Sequence, residues 1–178
     1  MLFHLTGDRG LALNLSEPGS AFVRYNEGGS WGGNFAPGDH LLFTGNTTNL
    51  GNGPITVVFG APVSAAGYQI EAYTGGPFTA RLEAFDSANN DLGFVTQSGT
   101  SSSGNNTAAF IGGTRPTNDI KRIVISLDSS SGDPTSFGIN RLDFRAVANT
   151  PEPGELALLI GLVASAGAIA LRHRRLRC

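Results

Sequence analysis

In residues 78–85, FTARLEAF, apolar and polar side chains alternate from Phe78 to Ala84. The apolar residues occupy every second position from Phe78 to Ala84, and threonine, arginine and glutamate fill the positions between them. An extended chain points successive side chains to opposite faces, so one face of this segment is apolar and the other is polar. The segment is therefore predicted to be a β-strand with one face in a hydrophobic core.

Similar short segments lie on both sides of it, separated by runs of glycine, proline, asparagine and serine. The further predicted strands are 11–15, 21–25, 40–43, 55–59, 67–73, 93–96, 107–111, 120–127 and 136–144. No segment before Pro151 has the periodicity of an amphipathic helix. About nine to eleven short strands joined by turns are typical of an all-β fold, and the pattern predicts an antiparallel β-sandwich.

Two kinds of irregularity interrupt the predicted strands. Segments 26–39 and 98–106 are rich in glycine, serine and asparagine, so we expect them to be the most mobile loops of the domain. In the last strand the apolar residues change from odd to even positions after Ile139. This change of parity predicts a β-bulge near Asn140 and Arg141.

Composition and charge exclude several classes of protein. Hydrophobic residues make up 40% of the chain, too many for a disordered protein. Residues 1–150 carry a net charge of −4 and contain no basic run, which argues against nucleic acid as a partner. The single cysteine, Cys178, rules out an internal disulfide.

Three aromatic residues are candidates for stacking on sugar rings: Tyr25, Trp31 and Tyr73. Core packing is the simpler interpretation for Tyr73, which lies at the end of a predicted strand. Trp31 lies in a glycine-rich segment and is harder to assign to a core.

Two patterns resemble catalytic sites. Residues 28–32, GGSWG, satisfy the G-x-S-x-G motif around Ser30, but a nucleophile elbow needs a buried strand before the serine and a helix after it. The flanking segments are glycine-rich, so we interpret the motif as a turn. Glu71 and Glu83 would form a glycosidase pair if their strands were neighbours, although carboxylates on the polar face of a strand are common. We therefore expect no enzymatic activity.

Candidate metal ligands are sparse. His4 and His40 stand alone in the sequence. Asp86 and Asp91, with the asparagines between them, offer oxygen ligands for calcium but lack the order of an EF-hand loop. A solvated hairpin turn is the preferred interpretation, and no other cofactor is expected.

The C-terminal residues fall into three parts. Pro151-Glu152-Pro153 precedes an uncharged segment, residues 156–171, that is predicted to be a transmembrane helix. At about 1.5 Å per residue this helix would be about 24 Å long, somewhat short of a 30 Å hydrocarbon core. The segment that follows is basic and is predicted to stay cytoplasmic; its arginines are Arg172, Arg174, Arg175 and Arg177. The predicted organisation is a domain at 1–148, a linker at 149–155, the helix at 156–171 and a basic tail at 172–178.

This order of motif, short helix and arginines resembles the PEP-CTERM sorting signal of Gram-negative bacteria. The resemblance implies that exosortase, a membrane-embedded transpeptidase or protease, recognises Pro151, Glu152 and Pro153 and cleaves nearby. It also implies that the protein is exported, first as an inner-membrane precursor and finally to the cell surface or the medium. There the resemblance implies association with exopolysaccharide and biofilm. Residues 1–10 show no signal-peptide pattern, so export requires a signal upstream of Met1.

Residues 40–145 are similar to the jelly-roll domain of PEP-CTERM proteins, which looks like carbohydrate-binding modules. In that comparison Asn140 occupies a position that often holds an aspartate beside calcium. The resemblance implies a non-catalytic matrix, adhesion or polysaccharide-binding protein. Two alternatives stay open, a permanently tail-anchored membrane protein and a secreted hydrolase.

Overall fold

The computed structural model describes residues 11–19, 22–45 and 51–146, together with the backbone of residues 3–6. The Pro-Glu-Pro motif, the predicted helix at 156–171 and the four tail arginines lie outside the described residues. In the described part of the chain, no helix has the length and hydrophobicity needed to span a membrane.

The described residues form eleven β-strands arranged in two antiparallel sheets, as the predicted all-β sandwich requires. The strands are β1 (Phe3–Thr6), β2 (Ala12–Ser16), β3 (Val23–Asn26), β4 (His40–Phe43), β5 (Ile55–Val63), β6 (Ala65–Ala72), β7 (Gly76–Phe85), β8 (Asp91–Ser101), β9 (Ala109–Thr114), β10 (Ile120–Ser130) and β11 (Phe137–Arg145). The six-stranded sheet has the order β1-β2-β5-β10-β7-β8, and the five-stranded sheet has the order β3-β4-β11-β6-β9.

The main hydrophobic core lies between these sheets. The apolar face of β7, from Phe78 to Ala84, is buried in it as the alternation predicts, and β6 of the other sheet contributes Tyr68 and Ile70. The Tyr68 hydroxyl donates a hydrogen bond to the Arg81 carbonyl across 2.8 Å, which joins the two sheets. Because even-numbered residues of β6 face the core, its odd-numbered residues face outward.

The chain alternates between the sheets from β4 onward. β4, β6, β9 and β11 lie in the five-stranded sheet, and β5, β7, β8 and β10 lie in the other, so among these eight strands only the β7–β8 connection stays within one sheet. The last two strands, β10 and β11, each insert between two earlier strands. The outer face of the five-stranded sheet therefore combines segments that are far apart in the sequence.

The predicted bulge in the last strand is confirmed. The register of β11 with β6 shifts between Asn140 and Asp143, and Arg141 has a φ of +52°. The prediction of a loop at 98–106 is wrong for residues 98–101. These four residues belong to β8, which continues to Ser101 in register with β7. Gly99 allows this continuation: a Cβ there would lie 2.4 Å from Cζ of Phe78.

Candidate functional site

The segment between β3 and β4 packs on the outer face of the five-stranded sheet. Two of its side chains, Trp31 and Phe35, form a second buried cluster with Leu41 and Phe43 of β4. The expectation of a mobile loop here assumed that the segment has too little apolar surface to bury. Trp31 and Phe35 supply that surface, so the assumption is wrong.

Glu71, on the outward face of β6, lies beneath this segment and is only 3% exposed. Its Oε2 accepts hydrogen bonds from the indole N–H of Trp31 at 3.1 Å and the backbone N–H of Asn34 at 2.8 Å. Burial raises the pKa of Glu71, since the loss of solvation outweighs these two hydrogen bonds, and the neighbouring Glu27 raises it further. Both of these donors bind Oε2, so within the described part of the chain Oε1 keeps its capacity to accept a hydrogen bond from a ligand.

Glu27 is the second buried carboxylate at this site. Its Oε1 accepts the backbone N–H of Gly33 at 2.9 Å, and its buried Oε2 has no hydrogen-bond partner among the described residues. Gly33 is in close contact with Glu71, because a Cβ at position 33 would lie 2.1 and 2.5 Å from the two carboxylate oxygens. The residue at this point must therefore be glycine for Glu71 and the Trp31 indole to keep these positions.

Asn34 connects the same segment to the loop that follows β8. Its side-chain oxygen accepts the backbone N–H of Ser102 at 2.7 Å, and its amide group donates to the side chains of Ser102 and Thr107. The backbone carbonyl of Asn34 accepts from Thr107 at 2.8 Å and from Ala108 at 2.9 Å. The part of the predicted loop that follows Ser101 is thus hydrogen-bonded to the buried side chain of Asn34. The composition of the loop does not predict this contact.

The three predicted sugar-stacking residues are brought together around Phe43. Trp31 lies 5.8 Å from Tyr25 and 5.7 Å from Tyr73 between ring centroids, and Phe43 contacts all three rings. Their exposure reverses the sequence-based interpretation: Trp31 is 8% exposed, whereas Tyr73 is 48% exposed. Trp31 is buried because its own loop folds over the sheet, and Tyr73 is exposed because it continues the outward face of β6.

A pocket of about 130 Å³ opens between the loop and the sheet. It is lined by Ser30, Trp31, Gly32, Glu71 and Tyr73. The aromatic rings offer an apolar wall and the carboxylate offers a hydrogen-bond acceptor, a combination that suits a ligand with both C–H surface and hydroxyl groups. Pockets for drug-sized molecules occupy about 300–1,000 Å³, so this one holds only part of a larger ligand.

The two catalytic patterns considered in the sequence are placed as follows. Glu83 lies on the outward face of β7, in the opposite sheet from Glu71, and its carboxylate is 3.7 Å from Arg81. The outward faces of the two sheets point away from each other, so Glu71 and Glu83 do not form the glycosidase pair that was considered and set aside in the sequence. Ser30 lines the pocket but lies in a turn, where its hydroxyl accepts the backbone N–H of Asn26 at 3.0 Å.

The predicted calcium ligands are divided between the two sheets. Asp86 accepts hydrogen bonds within the β7–β8 turn, and Asp91 accepts the backbone N–H of Gly93 at 2.7 Å. Asn140 lies on β11 and donates to Asp39 at 2.7 Å. No group of three or more His, Cys, Asp or Glu side chains placed to hold a metal ion occurs within the described residues. The preferred interpretation of Asp86 and its neighbours as a hairpin turn is confirmed.

The two histidines considered as metal ligands, His4 and His40, lie in different sheets. His40 begins β4 and its Nδ1 lies 2.6 Å from Oδ1 of Asn26. His4 lies in β1, where only the backbone is described.

Sequence analysis missed Glu27, Gly33 and Asn34 as residues of this site. The one available signal was the position of a glutamate, a tryptophan and an asparagine in an otherwise small and polar segment. No protein-family model and no curated protein matches the chain.

Proposed function

We propose that the β-sandwich is a non-catalytic module that binds a neutral polysaccharide at the pocket formed by Trp31, Glu71 and Tyr73. The observation that carries this proposal is the position of the half-exposed Tyr73 ring in the same pocket as the Glu71 carboxylate, whose two donors among the described residues both bind Oε2. A sugar ring offers an apolar C–H face for the tyrosine and hydroxyl donors for the carboxylate.

The charge of the site favours a neutral ligand over an acidic one. Two glutamates, Glu27 and Glu71, are buried at this site, and the charge of Glu27 raises the pKa of Glu71. An anionic sugar would add a third negative group to this pair, and like charges in a poorly solvated site repel strongly.

The strand order supports a jelly roll as the finer description of the fold. The orders β4-β11-β6-β9 and β5-β10-β7-β8 follow from winding a long antiparallel hairpin of eight strands around itself. In this arrangement β1 and β2 extend one sheet and β3 extends the other.

Affinity electrophoresis tests the binding proposal. Full-length protein in non-ionic detergent is run through gels that contain dextran, laminarin or galactomannan, with alginate as the acidic comparison. We expect at least one neutral polymer to retard the wild type, and Tyr73→Ala to lose the retardation. Equal retardation of the variant and the wild type would count against the pocket.

We further propose that this module is exported and sorted by exosortase through Pro151-Glu152-Pro153. Prolines hold the backbone extended, so a protease groove can recognise the motif in one conformation, and Glu152 offers a charge for pairing. The segment at 156–171 would hold the precursor in the inner membrane, with the arginines on the cytoplasmic side. After cleavage, polysaccharide binding would keep the protein in the extracellular matrix.

The sorting proposal is tested by replacing Pro151, Glu152 and Pro153 together with alanine, with Glu155→Ala as the matched control. Each protein is expressed behind an added signal peptide in a host with exosortase. The triple variant is expected to stay full-length in the membrane fraction, whereas the control and the wild type mature. Maturation of the triple variant at the wild-type rate, or retention of the wild-type tail, would favour a permanent tail anchor.

A further inference from the structure

We propose that the polysaccharide chain extends from the pocket along the five-stranded sheet into a second binding groove beneath Phe110. This inference rests on the proposed function and specifies its ligand as a polymer rather than a single sugar. The evidence is the position of one aromatic ring, the shape of the groove beside it and the strand that the two sites share.

Phe110 is an exposed aromatic residue on the outward face of β9. It pairs in register with Gln69 of β6, and Gly112 pairs with Gly67. A Cβ on Gly67 would lie 2.6 Å from Cζ of Phe110, and a Cβ on Gly112 would lie 3.2 Å from its Cε1. The ring therefore lies against the backbone of two glycines, and any larger residue at position 67 would displace it.

Half of the Phe110 side chain is nevertheless exposed, at 50%. A ring that has one side against the sheet and the other open to solvent offers a flat apolar surface. Covering such a surface with an apolar group removes it from water, which is favourable. The two glycines and the phenylalanine thus form a platform of the kind that a sugar ring covers.

A groove of about 440 Å³ runs beside this platform. Its lining includes Ala65, Gly67, Phe110, Thr114, Asp143 and Arg145. Asp143 and Arg145 are exposed residues of opposite charge on β11, so the groove offers hydrogen-bond acceptors and donors without a net charge. Arg145 already donates its Nε–H to the Ser64 hydroxyl at 3.2 Å, which holds the guanidinium at the edge of the groove.

The groove and the pocket lie on the same face of the same strand. Gly67 and Glu71 are both outward residues of β6, four positions apart, which corresponds to about 13 Å along a strand. A single sugar cannot reach both sites, whereas a chain of several sugars can. Contacts at two sites on one chain would strengthen binding beyond that of either site alone.

The experiment uses the same dextran, laminarin and galactomannan gels with the full-length variant Phe110→Ala. Phe94→Ala is the matched control, because Phe94 is 56% exposed but lies on β8 of the other sheet. Loss of one stacked ring is expected to weaken retardation by about tenfold in Phe110→Ala and to leave Phe94→Ala unchanged.

The outcomes separate this inference from the function on which it rests. If Tyr73→Ala loses retardation but Phe110→Ala keeps it, the groove is not used and the pocket alone binds. If Phe94→Ala loses as much as Phe110→Ala, the effect is not specific to the groove and the inference is wrong. If none of the three neutral polymers retards the wild type, both the groove and the proposed function are contradicted.

Discussion

The indole N–H of Trp31 donates to Oε2 of Glu71 across 3.1 Å, and both residues are almost completely buried. This bond joins a loop to a strand that lies 40 residues further along the chain. It accounts for a tryptophan in a glycine-rich segment and for a carboxylate beneath it. Because both groups also line the pocket, the same contact that holds the loop in place shapes the proposed binding site.

Removing this hydrogen bond should destabilise the domain. Trp31→Phe keeps an aromatic ring but leaves Glu71 with one donor fewer in a buried site. Hydrogen bonds to charged groups contribute about 1.5–3 kcal/mol, so we expect a loss of that order in the free energy of unfolding. In denaturant titrations, Trp31→Phe should lower the free energy of unfolding less when Glu71 has already been replaced by Gln. An equal loss in both backgrounds would mean that ring packing, not the hydrogen bond, is responsible.

Two adjacent glycines should respond differently to alanine. At Gly33 a Cβ would overlap both oxygens of Glu71, whereas at Gly32 it would meet nothing within 4 Å. Gly33→Ala is therefore expected to lower the free energy of unfolding by about 1–3 kcal/mol, and Gly32→Ala to change it little. Thermal unfolding of the two variants gives the comparison. Similar melting temperatures for both would show that the close contact at Gly33 is not present in solution.

Stability should fall as the pH rises above the ordinary glutamate range. Burial raises the pKa of Glu71 above 4.5 and raises that of Glu17 to about 7. The folded protein then holds protons that the unfolded chain has released, so the stabilisation is complete below about pH 4.5 and is lost as the pH rises. Denaturant titrations from about pH 4.5 to pH 7.5 measure this slope. The double variant Glu17→Gln, Glu71→Gln should be nearly flat, and an unchanged slope would assign the effect to other groups.

Asn34 should control the order of the loop that follows β8. Its side chain bonds to Ser102 and Thr107, so Asn34→Ala removes several hydrogen bonds at once. Amide hydrogen exchange at Ser102 is expected to become markedly faster, because its N–H loses its acceptor. Asn105→Ala is the control, since Asn105 is exposed in the same loop. Unchanged protection at Ser102 in Asn34→Ala would contradict the role of Asn34.

Sequence patterns predicted the regular part of the fold because strand alternation is local. β7 has one polar and one apolar face, so its orientation follows from eight consecutive residues, and the parity change after Ile139 identified the bulge. The second half of β8 was missed, because an edge strand that is exposed on both faces has no alternation to detect. β1, Phe3–Thr6, was also missed.

The site was predicted only in its composition. Tyr25, Trp31 and Tyr73 were identified as a group by residue type, and the structure places their rings together. Their burial could not be predicted, because it depends on a loop folding over a distant strand. The pairing of Glu71 with Glu27 rather than Glu83 depends on which sheet each strand joins, and that information is not local either.

Trp31 is the chain's single tryptophan and lines the pocket, so its fluorescence reports on the proposed binding site alone. The most direct measurement is therefore a titration of tryptophan fluorescence with the neutral polymer that retards the wild type. A saturable change that disappears in Tyr73→Ala and persists in Phe94→Ala is the result we predict. Binding of the polymer without any change in Trp31 fluorescence, or an undiminished change in Tyr73→Ala, would contradict the claim that this pocket binds the sugar.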